Sequence, residues 1–430
     1  MKKINKTEFT IGVVILAAVL LAGAAFLKDS SLFYRMLVGL GLGYALTRAL
    51  FGFAGSANRA YNAGSTKLLR ALTFMFFMSA VVTAALCFTG GAENYGLWIN
   101  QINLGLIVGG VMFGVGMAFC MCCASGLLTD LVAGPSRAFI TLFFFGVGVY
   151  IGFPLQVTQG WVTDTLVHSS SYETGVFLPD FFKFDGMNGY LGAIILTGIF
   201  CLIAAGLGKA YENYRRRSGT YSGVDTEIEQ EKEEIEVLQD QSVVPVLSET
   251  TVYRLFAKPW TLKMGAVVIT ILFATLMIVT KSGWGASTPY GLWFGRLLML
   301  FGVPVETITG FTHQGAESFT VPFFENGMNV QNTCIIVGSL IASLMMGMFA
   351  KQFKEGLKIT PKEVLLYAVG GILMGVGTRL SNGCNVGALY SPIANLSLSG
   401  WIYFIFLFGG GMLGNAIKKR YFALGRKQGQ

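Results

Sequence analysis

The chain has 430 residues, of which 53% are hydrophobic and only 13% charged, with a mean hydropathy of +0.60. Soluble domains carry roughly 25% charged residues, so these figures exclude a soluble globular protein and call for an all-α, polytopic integral membrane protein in a lipid bilayer. The net charge of +8 sits mostly in loops, where membrane topology places Lys and Arg, and gives no ground for nucleic-acid binding.

The opening residues MKKINKTEFT lead into an apolar stretch. No small-residue cleavage site followed by a soluble domain succeeds it, so it is expected to stay as the first membrane helix. Segments near the ~20 apolar residues that cross a bilayer are expected at 10–27, 32–53, 68–88, 102–121, 138–153 and 190–207. A polar linker follows, then segments at 262–279, 290–303, 334–349, 364–380 and 401–417. The chain therefore divides into a first membrane repeat (1–210), a charged cytoplasmic linker (211–258) and a second membrane repeat (259–430). Arg215, Arg216 and Arg217 open the linker, and eight acidic residues lie between Asp225 and Asp240. Such composition favours a solvated helix or partly disordered spacer, with a regulatory docking segment as the alternative.

Loop charges set a topology. Arg48, Arg59, Lys67 and Arg70 flank or lie in the loop 54–65, which is expected in the cytoplasm, as are Lys351, Lys354, Lys358 and Lys362 and the C-terminal Lys418, Lys419 and Arg420. Residues 90–100 carry Glu93 and no Lys or Arg, and 154–189 carry four acidic residues against Lys183, so both face out. This places the chain in the cell membrane with both termini cytoplasmic. Parity then requires the short segment Tyr290–Val303, bracketed by Pro289 and Pro304, to be re-entrant rather than a span.

Two windows match without a gap at a constant offset of 261: GGVMFGVGMAFCMCCASG from Gly109 and GGILMGVGTRLSNGCNVG from Gly370. Gly110 falls on Gly371, Gly114 on Gly375, Gly116 on Gly377, Gly126 on Gly387, and Cys123 on Cys384. Arg35 likewise falls on Arg296. Each half thus has a Gly-rich helix running into a Cys-bearing break. The topology makes these two helices antiparallel, an inverted repeat of the kind transporters use. A helix break within a membrane is tolerated only where it is buried in protein or lines a cavity. The Gly-, Pro- and Ser-rich stretches after Cys123 and Cys384 are expected to return toward the membrane as half-helices, whose N-termini attract anions. A duplicated thiol at such a break marks a substrate path, with Cys122 and Asn385 beside it; the bland alternative is a small buried apolar residue.

Arginines within membrane segments are the second signal, because a charge at that depth marks a substrate path or a buried partner. Arg379 lies on the second motif helix five residues before Cys384. Arg48 ends the second segment and has the alternative of snorkelling to the interface. Few acidic residues lie near either, so an anionic substrate is the expected counter-charge. The seven cysteines form neither a zinc pattern nor a disulfide framework, the run Cys120-x-Cys122-Cys123 has no histidine near it, and no metal or other cofactor is expected. GGGMLG at Gly409–Gly414 lies in a membrane helix with no strand before it and fits helix packing rather than a nucleotide loop. No Walker motif or hydrolytic triad is present, so an enzyme is not expected.

VGGILMGVGTRLSNGCNVGA followed by SLSGW at Ser397–Trp401, GGVMFGVGMAFCMCCASG, and TRALFGFAGSANRAY at Thr47–Tyr61 resemble the YeeE/YedE family of thiosulfate transporters and selenium-metabolism membrane proteins. The resemblance implies an all-helical permease that passes thiosulfate or a related sulfur or selenium anion inward through a narrow path, with Cys123 and Cys384 matching two cysteines that meet the substrate. A third family cysteine, in an R-x-x-x-C-F context, is absent: the run from Arg48 reads RALFGF, with Gly52 in its place. That departure leaves the selenium-associated branch an equal expectation. The rival expectation is a membrane redox or sulfur-transfer protein that uses the same cysteines covalently, fed by a cytoplasmic sulfur- or selenium-carrier protein. A scaffold subunit of a larger membrane complex is the third.

Overall fold

The computed structural model describes residues 5–239 and 249–427; linker residues 240–248, and with them Asp240, lie outside the described residues. Over its described residues the chain is predominantly helical, its helices joined by irregular loops. Its principal helices are α1 (Lys6–Phe26), α2 (Ser30–Arg48), α3 (Phe53–Ala63), α4 (Lys67–Gly90), α5 (Leu104–Cys120), α6 (Ala124–Ala133), α7 (Pro135–Thr158), α8 (Tyr190–Arg217), α9 (Asp225–Gln239), α10 (Leu262–Thr280), α11 (Thr288–Leu300), α12 (Gly327–Met345), α13 (Pro361–Leu380) and α14 (Leu398–Lys427). Among the described residues, 10 helical stretches are long and apolar enough to cross a membrane, so the protein is a multi-pass membrane protein.

Helix ends follow from local chemistry. Asn103 caps α5 by accepting from Leu106 N at 2.9 Å, and Thr360 and Glu363 form a reciprocal capping box on α13. Two helices run further than their apolar stretches. Helix α8 continues ten residues past Leu207 to Arg217, held by Glu212, which pairs with Arg216 at 2.9 Å and with Arg70 of α4 at 3.3 Å. The expected loop 54–65 is instead helix α3, separated from α2 by Leu50 in the left-handed conformation and an extended Gly52.

The two Gly-rich helices pack against each other with backbones nearly touching. A Cβ on Gly109 would stand 2.6 Å from Gly377 O, and one on Gly377 2.8 Å from Gly109 O. The same reciprocity joins Gly116 and Gly370, at 2.5 and 2.9 Å. Position 109 meeting 377 while 116 meets 370 makes α5 and α13 antiparallel. The offset of 261 carries one pair onto the other, so the local axis between the helices is two-fold. Small residues are what lets membrane helices approach so closely. Helix α7 lies along α13 and α14 along α5, as the contacts of Gly148 with Ile372 and of Gly114 with Leu407 show.

Segment Tyr290–Val303 does not cross. Helix α11 is only 13 residues long, and the chain that enters it beside Gly96, where Gly96 N bonds Lys281 O at 2.7 Å, leaves at the same end, where Glu325 pairs with Lys28 at 2.7 Å. The opposite end carries the linker. Asn5 packs on Gly347 there, and Lys418 Nζ reaches Phe119 O at 3.3 Å, so both ends of the described chain lie on the linker side. Helix α9 is docked at this end rather than solvated all round, since Glu227 is buried.

Candidate functional site

Each Gly-rich helix ends the same way. Met121 after α5 and Asn382 after α13, equivalent at the repeat offset, both take positive φ. Two residues later each chain turns on its cysteine and starts a ten-residue helical segment: α6 after Cys123, and Asn385–Tyr390 continued by Ser391–Ala394 after Cys384. Cys123 caps α6, its sulfur accepting from Gly126 N at 3.4 Å and lying 3.4 Å from Ser125 Oγ. Cys384 is the N-cap residue of its segment without a side-chain cap bond, and its carbonyl oxygen accepts from Ala388 N at 2.6 Å. All seven cysteines are free and buried. The Tyr290 hydroxyl donates to Ala124 O, next to Cys123, at 2.6 Å. Among the described residues no three His, Cys, Asp or Glu side chains converge as a metal site.

Two cavities approach this pair of turns from opposite ends. The first, about 320 Å³, lies at the end away from the linker and is lined by Asn100, Gln156, Ser287, Thr288, Arg379 and Asn382, with Gly383 at its floor. The second, about 230 Å³, lies at the linker end and is lined by Gly52, Arg59, Met121, Cys122, Cys123 and Gly126. Between them Cys384 is fully buried and Cys123 is 1% exposed.

Arg379 carries the charge of the first cavity. Its guanidinium donates to Ser287 Oγ at 3.1 Å, Thr288 Oγ1 at 3.3 Å and Gln156 Oε1 at 3.5 Å, and sits 5.4 Å from the Phe153 ring. No described carboxylate pairs with it, and its buried Nε has no partner. Buried cations are normally paired, so this one is charged toward the cavity with donors to spare.

Other residues singled out from the sequence lie elsewhere. Arg48 lines neither cavity. It bonds Lys258 O at 2.8 Å, Tyr44 Oη at 3.0 Å and Arg254 O at 3.2 Å, and stacks 4.6 Å from the Trp260 ring, fastening the end of α2 to the chain entering α10. Gly116 and Gly377 sit in the α5–α13 seam, and Gly387 packs on Trp98, where a Cβ would meet the ring at 2.6 Å. Asn385 is buried beside Cys384, donating to Met117 Sδ at 3.3 Å with its Oδ1 unpartnered. Residues the sequence did not single out are Ser287, Thr288, Gln156, Tyr290 and Arg59. Asn382 was within reach, as the repeat partner of Met121.

A family model described as sulphur transport matches residues 48–413. The chain is 23% identical over 381 residues to the thiosulfate transporter TsuA of Spirochaeta thermophila, covering 87% of this chain and 95% of that protein. It is 25% identical over 158 residues to the probable transporter YedE of Escherichia coli, covering 36% of this chain and 38% of that one.

Proposed function

Because the chain belongs to the sulphur-transport family, of the YeeE/YedE kind, we propose that it is a permease for a small sulfur or selenium oxyanion of the thiosulfate type. The observation that carries this reading is the pair of cavities that stop on the two repeat-related cysteine turns. In this reading the anion enters the first cavity, drawn by Arg379 and the hydroxyl and amide groups around it. It passes the Cys384 and Cys123 turns and leaves through the second cavity at the linker end, which is the cytoplasmic end by its basic loops.

The chemistry suits a passage rather than a trap. A neutral thiol is a weak donor with a polarisable sulfur, so it meets a terminal sulfur or selenium atom without holding it. A path must bind well enough to admit the ion and weakly enough to release it. The amides that open the two short helical segments supply the remaining donors to the anion.

Uptake of labelled thiosulfate, sulfite and selenite into proteoliposomes holding only this chain is the test. Flux of at least one anion, abolished or strongly reduced in both Cys123→Ala and Cys384→Ala, is the expected result. Undiminished flux in both variants would remove the cysteines from the path. A sulfur-bearing mass added to either cysteine after substrate exposure would favour covalent transfer instead.

A further inference from the structure

The two ends of the path are unlike in charge, and a residue outside the repeats makes them so. Arg59 of α3 lines the second cavity beside Cys122 and Cys123. Its Nη1 pairs at 2.7 Å with Glu227 of the linker helix α9, while its Nη2 donates to Leu50 O at 2.8 Å. The Glu227 side chain is 3% exposed, and its second oxygen accepts from Ser65 Oγ at 2.6 Å. The carboxylate is therefore fixed from two sides, not waving from a solvated helix. Among the described residues lining this cavity only Arg59 and Asp130 are charged, and Asp130 is paired with Arg137 at 2.8 Å. The first cavity keeps Arg379 with no carboxylate, whereas the second has its guanidinium neutralised.

A cavity wall bearing an uncompensated guanidinium holds an anion; one bearing a closed ion pair holds it far less. We propose that Glu227 sets the affinity of the second cavity: by neutralising Arg59 it keeps the linker end a weak-binding exit, so that anions drawn in by Arg379 are released. Arg379 and Arg59 are not repeat-related, since Ala118 and Thr320 stand at their equivalent positions; the linker helix supplies the second cavity with a carboxylate that the first lacks. The inference rests on the transport reading above. Glu227 acts through Arg59 and is a positioning residue, not a contact of the anion.

Flux of labelled thiosulfate is measured from each face, using right-side-out and inverted membrane vesicles from cells that lack other thiosulfate carriers. Glu227→Gln is expected to lower the half-saturating concentration at the linker face about tenfold and to slow net flux toward that face, with the opposite face unchanged within about twofold. Arg59→Gln combined with Glu227→Gln should restore the weak linker-face affinity. Glu231→Gln is the control for a loosened helix, since it breaks the pair with Lys67 on the exposed edge of α9 and leaves Arg59 alone. The proposal is overturned if Glu227→Gln leaves the linker-face affinity unchanged, or if Glu231→Gln reproduces its effect. A wild-type chain that moves no thiosulfate, sulfite or selenite would sink the transport reading and this inference together.

Discussion

Met121 and Asn382 stand 261 residues apart, at the offset that aligns the two Gly-rich windows, and both take the left-handed backbone conformation, with φ of 60° and 55°. Each closes its Gly-rich helix and reverses the chain so that the cysteine two residues on faces back into the bundle. Asn adopts this conformation readily, whereas Met does so at a disadvantage. Met121→Gly and Met121→Asn should therefore keep full thermal stability in detergent, while the β-branched Met121→Val should lose about 1–2 kcal/mol. Equal melting of the Gly and Val variants would show that the turn is not held in this conformation.

Arg379 is the strongest polar lever on the first cavity. It pairs with no described carboxylate, so Arg379→Gln leaves no buried anion behind and should fold normally. Loss of a charged donor to the substrate is worth about 1.5–3 kcal/mol, which predicts a rise in the half-saturating thiosulfate concentration of roughly 10- to 100-fold. Arg379→Lys keeps the charge but not the fork that spans Ser287, Thr288 and Gln156, and should fall between. Concentration-dependent uptake separates affinity from maximal rate; a change in maximal rate alone would place Arg379 outside the binding step.

Much of this arrangement was legible in the sequence, and what was not has physical reasons. The antiparallel seam of the two Gly-rich helices was readable because glycines in a helix seam are position-specific: Gly109 must meet Gly377 and Gly116 must meet Gly370. The non-crossing segment at 290–303 was readable from loop charge and parity. Helix α3 was not, because its residues FAGSANRAYNA are small and polar and carry no span-length apolar signal. Arg48 and Arg379 looked alike as isolated cations; only their neighbours, backbone carbonyls and Trp260 for one and a hydroxyl-lined cavity for the other, separate them. The polar ring of the first cavity draws on several distant segments, and no single stretch announces it. Glu227 was one acid among eight in the linker until docking buried it.

Gly52 stands where the family resemblance implies a third cysteine. It lines the second cavity with Cys122 and Cys123, its backbone is extended at φ −136° and ψ 130°, and a Cβ there meets nothing within 4 Å. Gly52→Cys should therefore fold within about 0.5 kcal/mol of the wild type. A further weak S–H contact, worth about 0.5–1.5 kcal/mol, should shift the preference for thiosulfate over selenite by roughly three- to tenfold. Competition uptake measures the shift; an unchanged ratio would place residue 52 off the path.

The rim of the first cavity depends on Asp180. Its carboxylate accepts from Ser171 N at 2.9 Å and Ser171 Oγ at 2.6 Å and pairs with Lys183 at 3.0 Å. This pins the loop whose Thr174 lines the cavity. Burial alone would raise this carboxyl, but the hydrogen bonds from Ser169, Ser171 and Lys183 outweigh it and hold it below the ordinary carboxylate range. A carboxyl depressed in the folded state adds stability that is fully present above its unfolded value of about 4 and is lost as pH falls through the folded value. Amide exchange of residues 169–178, corrected for intrinsic rates, should therefore be slow and flat from neutral pH down to about 4, then accelerate below it. Asp180→Asn should exchange fast throughout, by about 1–2 kcal/mol of lost protection, and should weaken thiosulfate uptake at neutral pH by loosening the Thr174 loop, which lines the same cavity as Arg379. Wild-type protection that persists unchanged far below pH 4 would mean that the loop is held by its apolar contacts, Phe177 on Tyr190 and Tyr172, and not by this carboxylate.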